Sequence, residues 1–204
     1  MKSAIHVLYF NTWIAPTIFK ARLKVQIWHN TPKANLINRI VAKKYDLVCG
    51  VSRYICRKIV EHLRVKPENV ALISDFVDTE FMRPDPKLRK MYREKLGLED
   101  SEFVVLYVGR IIPQKGLHHL LTAFAKDIRS RDMKLLIVGA RGHFHVQDLT
   151  YFNYLEHLIT SLGIRERVLY LGRIPREQLP GIYNACDAVA VPTLMEEGDS
   201  SLRT

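Results

Sequence analysis

Three short apolar runs, each closed by a glycine and set among helical patterns, constrain this chain more than any other feature. Phe103–Val108 ends at Gly109, Met133–Val138 ends at Gly139, and residues 168–171 end at Gly172. Phe103–Val108 is apolar throughout and Met133–Val138 is apolar but for Lys134, rather than apolar only at alternate positions, which suits strands buried on both faces. Between the runs, Leu117, Leu120, Leu121, Phe124 and Ile128 recur at helical spacing, and so do Tyr151, Tyr154, Leu155, Leu158, Ile159 and Leu162 before Gly163. A further helix near residues 176–184 leads to a strand at 188–191. This alternation predicts an α/β fold, a parallel sheet with helices on both sides.

The N-terminal part uses shorter elements. Residues 4–10 read as a buried strand, and 24–28 as a strand ending in the turn His29-Asn30-Thr31-Pro32. A helix is expected over 35–44 and a strand over 46–51. Ser52 is placed to cap a helix in which Ile55, Ile59, Val60 and Leu63 share a face, with a strand following at 69–73. From Asp75 to Pro86 the composition shifts to aspartate, proline and turn formers, as at a domain boundary. A helix over 87–96 then stops at Gly97. The expectation is two Rossmann-like domains, residues 1–82 and 83–204.

The net charge of +10 is local: residues 20–66 hold twelve Lys or Arg and two acids, and the rest is balanced. A solvated basic face, an anionic membrane surface and a nucleic acid all fit that charge. In the cluster from Lys43 to Lys66, Tyr45 and Tyr54 are the aromatics interleaved with the cations, few for stacking bases, so no nucleic acid is expected. Residues 3–19 are uncharged, but His6, Asn11, Thr12 and Pro16 break the stretch and no signal-cleavage pattern follows. A strand and a short apolar helix or loop are expected there, not a span. Cys49, Cys56 and Cys186 form no C-x-x-C pair and are odd in number, which argues against a disulfide framework or a cysteine zinc site. With no glycosylation sequon, a cytoplasmic location is expected.

Ligands of open parallel sheets bind beyond the carboxyl ends of the strands. There the first glycine opens Gly109-Arg110-Ile111-Ile112-Pro113-Gln114-Lys115-Gly116, directly before a helix. The planar fork of Arg110 and the compact charge of Lys115, with backbone N–H groups behind them, suit a diphosphate. Neither G-x-G-x-x-G nor G-x-x-x-x-G-K-[ST] occurs, and Gly139-Ala140-Arg141-Gly142 has the wrong spacing. This argues against a dinucleotide dehydrogenase and a P-loop NTPase. There is no D-x-D pair for a sugar-nucleotide metal, and His143 with His145 makes half a metal site at most, so no metal is expected.

The string Leu106-Tyr107-Val108-Gly109-Arg110 to Lys115-Gly116, continuing Leu120-Leu121-Thr122-Ala123-Phe124, resembles the donor-site signature of retaining glycosyltransferase family 4, the glycosyl transferases group 1. Ile137-Val138-Gly139, then Val168 to Gly172 with Glu177, Leu179, Tyr183 and Asp187, and then Val191-Pro192-Thr193-Leu194-Met195-Glu196-Glu197-Gly198 resemble its later portion. Gln26-Ile27-Trp28-His29-Asn30 and Asp46 to Ser52 are similar to its acceptor-side domain. The resemblance implies a GT-B enzyme with two Rossmann-like domains. It moves a sugar with retention from a nucleotide-diphosphate sugar to a glycan or lipid-linked acceptor, with no cofactor or metal and at the cytoplasmic membrane face.

The resemblance also assigns roles. Arg110 and Lys115 bind the diphosphate, and Gly109 and Gly139 let the backbone approach it. Arg173 and Ile174 meet the nucleobase through main-chain atoms, His29 lies at the donor sugar, and Glu197 holds sugar hydroxyls. The chain departs from the pattern in three places. Gly198-Asp199-Ser200-Ser201 replaces Gly-Phe-Gly, and the second glutamate would fall just beyond Thr204. Ser74-Asp75-Phe76-Val77-Asp78 replaces a turn that usually contains Asn-Gly. The first glycine-rich loop has no counterpart. The expectation is therefore a central piece of such an enzyme, with a non-catalytic sugar-nucleotide-binding or interaction module as the alternative.

Overall fold

The computed structural model describes residues 23–127, 132–140 and 146–194. They fall into two compact units that divide between Phe76 and Val77. In the first, β1 (Val25–Trp28), β2 (Leu47–Gly50) and β3 (Val70–Leu72) form a parallel sheet in that order. The crossovers are α1 (Leu36–Ala42) and α2 (Arg53–Lys58), each started by a side-chain cap. Asn35 Oδ1 accepts the Asn38 N–H at 2.8 Å, and Ser52 Oγ accepts the Ile55 N–H at 3.2 Å. The chain continues from α2 into a π-helical turn, Ile59–Leu63. Ile55, Ile59 and Leu63, spaced by four, are all fully buried. In a straight α-helix that spacing drifts around the axis, and the wider π turn offsets the drift.

The second unit holds a parallel sheet in the order β6-β5-β4-β7. These are β4 (Phe103–Val108), β5 (Met133–Val138), β6 (Val168–Gly172) and β7 (Ala188–Val189). Four helices flank it: α3 (Pro86–Leu96), α4 (Leu117–Asp127), α5 (Val146–Ser161) and α6 (Leu179–Ala185). Alternation along the strands sorts the two faces. Tyr107, Leu135 and Ile137 pack with Leu121 and Phe124 of α4 and Leu155 and Ile159 of α5. Val104, Leu106, Leu136 and Val138 pack with Tyr92 of α3 and Ile182 and Ala185 of α6. Both faces are covered, which is why the strand sequences, Lys134 apart, are apolar at successive positions.

Several elements are shorter than the sequence suggests, α1, β2 and β3 by two residues or more, and two others for a reason that proline explains. The segment 176–184 divides into a 3-10 turn, Arg176–Gln178, and α6, where Pro180 sits in the first helical turn. Proline lacks an N–H and suits that turn, whose N–H groups have no partner inside the helix. Strand β7 stops at Val189. The Ala190 N–H still reaches the Leu106 carbonyl at 2.8 Å, but Pro192 has none to extend the ladder. The strand expected at 4–10 lies outside the described residues.

Helix α3 is tied to the start of β7 by two arginines. Arg93 is only 2 % exposed; its guanidinium donates to the carbonyls of Ala185, Glu99 and Glu102 and lies 3.5 Å from the Asp187 carboxylate. Arg89 pairs with Asp187 at 2.6 Å, and the other Asp187 oxygen accepts the Val104 N–H at 2.7 Å. Burial disfavours the charge on Asp187, but the Val104 N–H and the two guanidiniums outweigh it and hold its pKa below the usual value. A depressed carboxylate pKa stabilises the folded state above the unfolded value, about 3.9, and that contribution disappears as the pH falls through the folded value. The urea midpoint of this unit is expected to drop below about pH 4. Asp187→Asn should lower the midpoint at pH 7 and flatten that acid-side fall; an unchanged acid profile would show that Asp187 is not its source.

Candidate functional site

The second sheet has a topological switch. From β4 the chain steps outward to β5 and then β6, and α6 carries it back to place β7 against the other side of β4. At such a switch the connections leave neighbouring strands in opposite directions and open a crevice at the carboxyl ends. The loop leaving β4 there is residues 109–116, which holds Arg110 and Lys115.

Backbone bonds fold this loop tightly. The Ile112 N–H donates to the Arg110 carbonyl at 3.1 Å, Lys115 N–H to Ile112 at 3.0 Å, and Gly116 N–H to Pro113 at 3.0 Å. Gly116 has φ +67 and caps the 3-10 turn Pro113–Lys115 before α4 begins. A Cβ on Gly116 would stand 2.0 Å from the Pro192 carbonyl oxygen, so only glycine fits. The chain leaving β7 is therefore pressed onto the loop, and the Leu194 N–H donates to the Gln114 carbonyl at 2.9 Å.

One tyrosine holds this loop from below and a second holds the neighbouring one after β5. The Tyr107 hydroxyl donates to the Arg110 carbonyl at 2.8 Å, and the Tyr170 hydroxyl donates to the Gly139 carbonyl at 2.6 Å. Burial pushes the Tyr107 phenol well above its usual pKa, even though the nearby Arg110 charge acts the other way, so it remains a donor. In the sequence these tyrosines read only as apolar strand residues; nothing at that level marked their hydroxyls.

The expected residues can now be placed. Arg110 is exposed and Lys115 half-buried, at opposite ends of one short loop. Among the described residues neither pairs with a carboxylate. Gly109 and Gly139 sit side by side where β4 and β5 end: the Gly109 N–H donates to Val138 at 3.0 Å and the Gly139 N–H to Gly172 at 2.9 Å. A Cβ on Gly139 would lie 2.1 Å from the Gly109 carbonyl oxygen, so the close backbone approach that requires this glycine is within the protein. Arg173, just beyond β6, is exposed. Ile174 turns its side chain into the core. His118, at the start of α4, reaches the Tyr151 hydroxyl through Nδ1 at 2.8 Å, and burial holds its pKa below the usual histidine value.

His29 belongs to the other unit, just past the carboxyl end of β1, and its Nδ1 lies 3.7 Å from Asp75 Oδ1. Glu197, His143 and His145 lie outside the described residues. Among the described residues no three His, Cys, Asp or Glu gather as a metal cluster, and no helix is long and apolar enough to cross a membrane.

A family model for glycosyl transferases group 1 matches residues 89–198, more than half of the chain. The chain belongs to this family. One curated relative, the GDP-mannose-dependent alpha-(1-6)-phosphatidylinositol monomannoside mannosyltransferase of Mycolicibacterium smegmatis, is 31% identical over 81% of this chain and 41% of its own length. Another, the D-inositol 3-phosphate glycosyltransferase of Rhodococcus jostii, is 34% identical over 78% of this chain and 34% of its own. The crystal structure of Anabaena Alr3699/HepE in complex with UDP superposes with a TM-score of 0.76 at 24% identity, covering 92% of this chain and 53% of that one. That likeness shows the shared Rossmann-like GT-B fold. The family member described here thus spans less than half the length of either curated relative.

Proposed function

We propose that this chain carries the sugar-nucleotide site of a retaining glycosyltransferase, with Arg110 and Lys115 gripping the donor diphosphate. The observation that supports this most is their position: two cations without carboxylate partners among the described residues, on one stiffened loop at the switch point of a parallel sheet. As the bond to the anomeric carbon breaks, negative charge grows on the leaving diphosphate. Fixed cations there stabilise that charge more than the ground state, the condition for catalysis rather than mere binding. The side-chain pair supplies the neutralisation, so no resident metal or organic cofactor is invoked; the nucleotide sugar is substrate. The UDP in the HepE structure and the GDP-mannose in the mycobacterial enzyme's name agree with a nucleotide-diphosphate donor.

In this reading Arg173 and the Ile174 main chain meet the base, His29 stands at the sugar, and Glu197 holds sugar hydroxyls. Retention of configuration and a glycan or lipid-linked acceptor complete the proposal. Calorimetry of the 204-residue chain with UDP and with GDP tests it. Saturable binding of at least one is expected. Charge-assisted hydrogen bonds contribute about 1.5–3 kcal/mol, so Arg110→Ala or Lys115→Ala should weaken it about 10- to 150-fold. No heat from either nucleotide at millimolar concentration, with the protein folded, would refute it.

An anionic membrane surface fits the first unit. Helix α1 exposes Leu36 (69 %), Ile37 (49 %) and Ile40 (52 %), with the exposed ammonium groups of Lys33, Lys43 and Lys44 around them. Apolar side chains framed by cations suit the boundary of acidic headgroups and acyl chains. Each such cation contributes about 1 kcal/mol near an anionic bilayer. Vesicles rich in phosphatidylserine should therefore co-sediment the protein, and a Lys43→Gln, Lys44→Gln variant should bind them roughly 30-fold more weakly. Equal binding to neutral vesicles would remove this part of the proposal.

A further inference from the structure

The geometry points to Tyr107 as the positioning residue for Arg110, with Gly109 as the gap that admits its hydroxyl. This rests on Arg110 gripping the donor diphosphate, as proposed above. Tyr107 belongs to β4, is 2 % exposed and packs among residues of α4 and α5. Its ring lies in that core, and its hydroxyl donates to the Arg110 carbonyl at 2.8 Å. The Ile112 N–H donates to the same carbonyl at 3.1 Å, so both lone pairs of that oxygen are engaged. A peptide group is planar, and a carbonyl held by two donors fixes the whole plane between Arg110 and Ile111. The chain is anchored on either side of that plane as well. The Gly109 N–H is bonded to the Val138 carbonyl at 3.0 Å, and Ile111 is 1 % exposed in the core. The Arg110 Cα therefore has a fixed place, while the residue itself stays exposed.

Gly109 is part of the same device. A Cβ on it would stand 3.1 Å from the Tyr107 hydroxyl oxygen and 3.4 Å from Cζ of that ring. The ring carbon is at ordinary van der Waals distance, but the hydroxyl would have to give way by a few tenths of an ångström, and its bond to Arg110 with it. A buried hydroxyl without a partner is costly, so the tyrosine and the loop hold one another. The second cation is fixed by other means. Lys115 stands at the end of the loop where Pro192 presses on Gly116 and the Leu194 N–H bonds the Gln114 carbonyl at 2.9 Å. Loss of the Tyr107 hydroxyl thus loosens one cation of the pair and leaves the other in place.

The test is calorimetry with UDP and GDP on the native chain, Tyr107→Phe, Gly109→Ala and the double variant, with amide hydrogen exchange at Ile112 followed in each. Tyr107→Phe keeps the ring in the core; it is expected to weaken nucleotide binding about 2- to 12-fold, the range of one net hydrogen bond, and to speed Ile112 exchange. Gly109→Ala should move both readouts in the same direction. The double variant should bind no more weakly than Tyr107→Phe alone, because the alanine then has no hydroxyl to displace. Such non-additivity marks residues that act through one contact. Native affinity or native Ile112 exchange in Tyr107→Phe would overturn the positioning role, even with a lowered urea midpoint. Additive losses in the double variant would overturn the part given to Gly109. A native chain that binds neither nucleotide, with faster Ile112 exchange in Tyr107→Phe, would instead fault the donor reading and uphold the hydroxyl's hold on the loop.

Discussion

Two positive charges at the open end of a parallel sheet, with no carboxylate partner among the described residues, are the constraint around which the second unit is arranged. Several other cations of the unit are paired: Arg89 and Arg93 with Asp187 and backbone carbonyls, Arg165 with Glu156, and Arg167 with Asp132. Arg110 and Lys115 instead sit on a loop whose own hydrogen bonds are internally closed. Its carbonyl at Arg110 is held from beneath by the Tyr107 hydroxyl, and Pro192 packs against it at Gly116. The rigidity lies in the backbone and the charge is left for something else. A preorganised site needs that combination, because a loop that had to order itself on binding would lose affinity to the ordering.

How much of this was legible in the sequence depends on which residues are asked. Phe103–Val108 and Met133–Val138 match the expected strands because a strand covered on both faces leaves a run of successive apolar residues, broken here only by Lys134. The glycines that end those strands were equally visible, but Gly139 carries a constraint besides the one expected of it. The nearest constraint on it is the Gly109 carbonyl of the adjacent strand, a packing need that a ligand-approach argument does not reveal.

What the sequence hid were long-range contacts made by residues with a plausible local explanation. Arg93 sits on a helix among exposed neighbours such as Met91, so helical periodicity gives no warning that the charged residue is the buried one. Its guanidinium is accepted inside because three carbonyls and Asp187 surround it. Asp75 is similar: the departure from Asn-Gly was visible, but nothing local indicated that its carboxylate would come near His29. Tertiary geometry turned a turn-forming aspartate into a neighbour of a candidate sugar ligand.

The central claim is that the loop between β4 and α4 is where a nucleotide diphosphate binds. Backbone amide chemical-shift mapping during a UDP or GDP titration tests it most directly. The account predicts that the largest shifts fall on residues 109–117 and on Thr193 and Leu194, which are packed against or follow that loop. Shifts confined to another part of the unit, such as the hollow of about 480 Å³ lined by Arg83, Asp85 and Tyr183, would contradict it.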